Sequence, residues 1–143
     1  MRSRLLSILA LVAAASLFPA DASAQAVQYI NPGSAADASG SPFSSAVMVG
    51  NTLYLSGVLG RGDTAEDAAR NALNSIRSTL EQAGMTMDDL VNVQIFAADL
   101  ADYAGFNTVY RTYFTRQFPA RAFLGATLLA NARFEVLGVA VRR

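Results

Sequence analysis

Residues 90–141 read "LVNVQIFAADLADYAGFNTVYRTYFTRQFPARAFLGATLLANARFEVLGVAV", and the changes of period within them decide the fold. Over "LVNVQIFAADL" (90–100) apolar and polar side chains alternate, the two-residue period of a strand with one buried face. The spacing then lengthens: Phe106, Val109, Tyr110, Tyr113 and Phe114 fall on one face of a helix, which Pro119 ends because proline cannot continue the hydrogen-bond ladder. "RAFLGATLL" (121–129) and "ARFEVLGVAV" (132–141) return to strand composition on either side of a turn at Asn131.

Upstream, the punctuation is equally clear. "AVQYI" (26–30) is a short strand, and "NPGSAADASGSPF" (31–43) is a loop rich in Gly, Pro, Ser and Asn. "SSAVMVG" (44–50) and "NTLYLSG" (51–57) meet at Gly50-Asn51, a hairpin signal because both residues tolerate positive φ. Thr64 and Asp67 have the spacing of a capping box, and Ala65, Ala69, Leu73, Ile76 and Leu80 recur at helical spacing up to Gly84, a natural stop. The predicted order β-β-β-α-β-α-β-β describes a two-layer α+β domain, with both helices on one face of a mixed sheet. The other face, rich in Val, Leu, Phe and Tyr, needs cover, and a second copy of the chain is the simplest source.

Residues 1–24 stand apart. Arg2 and Arg4 precede an apolar stretch from Leu5 to Phe18, followed by Ala22-Ser23-Ala24. That pattern predicts a cleavable export signal, cut after Ala24, and a periplasmic or secreted domain over residues 25–143. The stretch is shorter than the roughly 20 residues that span a bilayer, so no membrane association is expected after cleavage. With no cysteine, a lipid-anchored form is excluded.

Absences narrow the chemistry further. The chain has no His, Cys or Trp, and all eleven basic residues are Arg. A serine–histidine pair, a thiolate nucleophile, a Schiff-base lysine, a P-loop and the usual zinc constellations are therefore excluded, and no metal or cofactor is expected. Formal net charge is +0, which gives no electrostatic case for nucleic acid as a partner. What remains is Arg, carboxylates, hydroxyls, backbone groups and water.

Two charges interrupt apolar runs near the end of the chain. Arg121 heads one strand and Glu135 sits inside the next. Side chains of this kind are seldom buried alone. Either they pair across neighbouring strands as a structural ion pair, or Arg121 grips a ligand carboxylate while Glu135 handles a proton.

"SPFSSAVMVGNTLYLSG" (41–57), "ALNSIRSTLEQAGMTMDDLVNVQIFAADLADYAGFNTVYRTYF" (72–114) and above all "FPARA" (118–122) followed by "FEVLGVAVRR" (134–143) resemble, in this order and spacing, the Rid family. This is the YjgF or L-PSP endoribonuclease group of reactive intermediate deaminases. The resemblance implies a chorismate-mutase-like α+β subunit, a homotrimer with clefts between subunits, and a small carboxylate substrate. It also implies hydrolysis of 2-imino and 2-enamino acids to 2-oxo acids and ammonia, with Arg121 holding the carboxylate and Glu135 positioning water. Ser56, Asn107, Phe43 and Phe123 fall at positions expected to line the cleft. For Ser56-Gly57 turn chemistry at a strand end is an equal reading, for Asn107 an exposed helix position, and the Phe106–Phe114 stripe reads as core.

The chain also departs from that pattern. Phe43, Val58 and Ala122 stand where the family carries tyrosine, glutamine and serine or threonine, and "LLANA" (128–132) replaces an R-L-P segment. A cleft with fewer polar groups selects differently among substrates. The alternative to an enzyme is an exported, non-catalytic trimer that binds a small carboxylate or a client protein. A ribonuclease is disfavoured, because there is no His for acid–base work and no basic excess.

Overall fold

The structure, a computed structural model, describes residues 25–34, 36, 37 and 39–143; the export signal read at residues 1–24 lies outside them. The strands are β1 (Val27–Ile30), β2 (Ala46–Val49), β3 (Thr52–Gly60), β4 (Leu90–Ala97), β5 (Ala120–Gly125) and β6 (Phe134–Val141), with helices α1 (Ala65–Gln82) and α2 (Tyr103–Tyr110) between them. They form one sheet in the order β1-β2-β3-β6-β4-β5. All neighbours are antiparallel except β4 and β5. This is the mixed α+β arrangement, and the element order, that the sequence periods predict.

Alternation along β6 shows how the layers are made. Phe134, Val136, Gly138 and Ala140 are buried against the helices, while Glu135, Leu137, Val139 and Val141 are only half-buried on the face that neither α1 nor α2 covers. α1 buries Ala69, Leu73, Ile76 and Leu80 as its spacing requires, with Ala68 and Ala72 beside them. The Thr64 hydroxyl accepts from Asp67 N at 3.1 Å and donates to the Asp67 carboxylate at 2.8 Å, satisfying the first turn. Gly84, with φ +69°, closes the helix: its N–H bonds Glu81 O, and Met85 N–H bonds Leu80 O, both at 2.9 Å.

α2 is anchored by Phe106, which is fully buried with its ring 4.8 Å from that of Phe134 and 5.6 Å from that of Phe123. A buried phenylalanine of this kind contributes about 3–5 kcal/mol. It also fixes how α2 lies against β5 and β6.

Three local expectations are corrected. At the β2–β3 hairpin only Gly50 takes positive φ, +60°, and Asn51 does not, the pattern of a turn that demands it at one position alone. The second helix stops at Tyr110 instead of running on towards Pro119; Arg111–Tyr113 tighten into a 3₁₀ turn, and Phe114 is already extended. The cause is a competing acceptor. The Asp88 carboxylate takes the N–H groups of Thr115 at 3.0 Å and Arg116 at 3.3 Å, together with the Thr115 hydroxyl, so these groups leave the helical ladder. Lastly, β5 ends at Gly125 rather than Leu129, because Leu129–Asn131 coil into another 3₁₀ turn with Ala130 and Asn131 left-handed at φ +52° and +53°.

Candidate functional site

β5 is an edge strand, and in its parallel pairing Arg121 stands opposite Val93, a buried residue. The Arg121 side chain therefore runs on the helix side of the sheet and meets α2. Its Nη1 donates to Asn107 Oδ1 at 2.6 Å and its Nη2 to the Tyr103 hydroxyl at 3.4 Å. The guanidinium carbon lies 4.9 Å from the centre of the Tyr110 ring and 5.8 Å from that of Tyr103, a cation–π arrangement. Tyr103, Asn107 and Tyr110 are spaced four and three residues apart, so one helical stripe supplies the whole cradle. Every partner is neutral. Among the described residues the ion pairs are Arg77–Glu81 and Arg133–Asp102, and Arg121 has none.

Beside this cradle is a cleft of about 210 Å³ lined by Asn107, Tyr110, Arg111, Phe118, Pro119 and Arg121. The Tyr110 hydroxyl is buried without a hydrogen-bond partner among the described residues. Burial pushes its pKa up to about 12, against the opposing pull of Arg121, so it stays protonated. Phe123, two residues along β5, packs edge-on to Tyr103 at 5.0 Å and supports the cradle from below.

Glu135 is elsewhere. It stands opposite Leu59 of β3 and Phe96 of β4, half-buried on the helix-free face. Beside it β3 bulges, its register with β6 shifting between Leu55 and Val58. Ser56 and Gly57 thus lie within a strand, not at its end as the turn reading supposes. The Ser56 hydroxyl donates to Ser44 O at 2.7 Å and its N–H to Ser45 O at 3.0 Å, which ties the loop carrying the exposed Phe43 to the bulge. Gly57 has a separate reason to be glycine: a Cβ there would overlap the Glu135 carboxylate. Arg121 and Glu135 are therefore on opposite faces with β4 between their strands, and the structural ion pair does not form. Within one protomer the predicted site residues thus fall into two groups, Arg121, Asn107 and Phe123 on the helix side, and Glu135, Ser56 and the Phe43 loop around the bulge.

Of the departures noted in the sequence, Val58 packs against the core and Ala122 is exposed beside Gln94 on the face away from Arg121, so neither removes a polar group from the arginine cradle. Among the described residues no cluster of three metal-ligating side chains occurs, and no helix is long and apolar enough to cross a membrane.

The sequence model of the endoribonuclease L-PSP family matches residues 33–142. The chain belongs to the Rid/YjgF family. Similar relatives are the 2-iminobutanoate/2-iminopropanoate deaminases of Dermatophagoides farinae, 37% identical over 109 residues covering 70% of this chain and 85% of that protein, and of Bos taurus, 37% identical over 111 residues covering 71% and 80%. Among solved structures, a YjgF-family protein from Neisseria meningitidis superimposes with a TM-score of 0.75 at 26% identity, over 85% of this chain and 98% of that one. A putative endoribonuclease from Thermotoga maritima gives 0.71 at 26%, over 81% and 98%. The α+β expectation and the Rid/YjgF resemblance are both borne out.

Sequence reasoning singles out Arg121 and Asn107 but misses the residues that make the cradle. Tyr103 carries no sequence signal of its own, and Tyr110 reads as core. Tyr110 is indeed core, 3% exposed, yet its ring is also the floor under Arg121. The signal was present as the Tyr103, Asn107, Tyr110 stripe, legible only once a cation is known to face it.

Proposed function

We propose that the protein hydrolyses reactive 2-imino and 2-enamino acids to 2-oxo acids and ammonia. The observation that carries this reading is the Arg121 guanidinium, fixed by Asn107 and two tyrosines at the wall of a small cleft, with no carboxylate beside it among the described residues. A planar cation held by neutral groups offers two parallel N–H donors to a ligand carboxylate. The names of the relatives above support the same activity. An imine carbon already accepts nucleophiles: water adds to C=N, the electron pair moves to nitrogen, and collapse of the adduct expels ammonia and leaves the oxo group. Glu135 takes the proton from water and returns it to nitrogen, with Ser56 and Phe43 at the edge of that half-site.

The two halves meet only if a second copy supplies one of them. The helix-free face carries Tyr29, Tyr54, Leu137, Val139 and Leu124, apolar and without cover among the described residues. We take this face as the surface of a homotrimer in which Arg121 of one subunit looks onto Glu135 of the next. Residues 25–143 would be the mature domain, working outside the cytoplasm after loss of residues 1–24.

The test is an assay in which an amino-acid oxidase generates imines and their decay is followed with and without the protein. Decay should accelerate with the wild type. Glu135→Gln should slow the catalysed step by about 10²–10⁴-fold, the range for loss of a proton-transfer group. No acceleration by a folded wild type that still binds 2-oxobutanoate would favour a non-catalytic carboxylate-binding trimer.

A further inference from the structure

Arg121 is not the only cation facing its cleft. Arg111 follows α2 directly, one helical turn beyond Asn107 and on the same side, and lines the same cavity. Its guanidinium carbon lies 5.9 Å from the centre of the ring of Phe118, another lining residue. None of the six lining residues is acidic. Neither arginine has a carboxylate partner among the described residues. Two cations thus line one small cleft that has aromatic side chains and no carboxylate in its lining. A ligand with one carboxylate on Arg121 leaves the Arg111 charge uncompensated; a ligand with two removes both.

Resting on the carboxylate-binding reading above, we propose that Arg111 is a specificity-determining residue that binds the second carboxylate of a 2-imino dicarboxylic acid whose α-carboxylate sits on Arg121. The reaction is unchanged in its balance: water is consumed, ammonia leaves, and a 2-oxo dicarboxylate is the product. Because Arg111 is exposed, its contribution is of the size measured for solvent-accessible pairs, and salt weakens it.

The experiment is calorimetric titration of the protein with 2-oxoglutarate and with 2-oxobutanoate, at low and high ionic strength. The dianion should bind about threefold to fivefold more tightly at low salt, and the preference should shrink at high salt. In Arg111→Gln the ratio should fall to near one, and in Arg111→Glu it should invert. A wild-type ratio near one, or a preference that survives both substitutions, overturns the assignment of Arg111 while leaving Arg121 as a monocarboxylate clamp. Failure of both compounds to bind the folded wild type overturns this inference and the carboxylate reading together.

Discussion

A guanidinium surrounded by neutral groups keeps its charge for a ligand, whereas one in an ion pair spends it on the fold. Arg121 is of the first kind, so its substitution should show in binding before it shows in stability. Arg121→Lys keeps the charge but loses the fork that reaches both Asn107 and Tyr103. Binding of 2-oxobutanoate should weaken by about 1.5–3 kcal/mol, the worth of a charge-assisted hydrogen bond. Unchanged affinity in a folded protein, measured by calorimetric titration, would remove the carboxylate clamp. Gly57 makes the complementary case on the other face. The atom that a Cβ at 57 would overlap is the tip of a flexible side chain, so Gly57→Ala should let Glu135 swing aside with little change in melting temperature. Imine hydrolysis should nevertheless drop by at least about tenfold, since small misplacements of a catalytic group are costly. A fall in Tm of many degrees with turnover intact would show that Gly57 serves the strand and not the carboxylate.

Single elements owe their limits to side chains that compete for backbone groups, and this is where local periodicity runs out. The α1 stripe of Ala69, Leu73, Ile76 and Leu80 was readable because the helix obeys one period from end to end. The end of α2 was not, because Asp88, far away in sequence, captures the N–H groups of Thr115 and Arg116. No window of neighbouring residues contains that information. The same holds for the site: Arg121 stood out as a charge among apolar residues, but its separation from Glu135 by a sheet follows from strand order, which only tertiary pairing reveals. Asp88 gives a pH prediction. Its hydrogen bonds, chiefly from the Thr115 hydroxyl, hold its pKa below the ordinary 3.8. A depressed carboxyl pKa stabilises the fold fully above 3.8, and this contribution disappears as pH falls below that value through the native pKa. Asp88→Asn should therefore melt lower than wild type at pH 7, with the gap closing as the pH is taken down to the acid side of 3.8. A gap that stays constant across melts at both ends would mean the charge of Asp88 contributes nothing. The segment it pins, 114–119, leads directly into β5 and so into Arg121.

At the scale of the whole molecule, the two half-sites and the bare sheet face are one problem. A protomer that buries its core on the helix side leaves Tyr54 and Tyr29 more than half exposed, at 51% and 57%, and leaves Glu135 without the cation it would work beside. Trimer formation would answer both, and light scattering on residues 25–143 should then report about three times the monomer mass; a clean monomer at micromolar concentration would sink the shared site too. A sharper test uses the two impaired variants together, at substrate concentrations well below saturation. In a cyclic trimer each site takes Arg121 from one subunit and Glu135 from its neighbour. Co-expressing Arg121→Lys and Glu135→Gln subunits in equal amounts then places an intact arginine next to an intact glutamate at about one site in four, by random assembly around a closed ring. At subsaturating substrate, mixed trimers should accordingly reach about a quarter of wild-type imine hydrolysis, well above either parent alone. If both residues acted within one protomer, every site in the mixture would carry one defect or the other. Activity of the co-expressed trimers no higher than the mean of the two parents would therefore rule out a site shared between subunits.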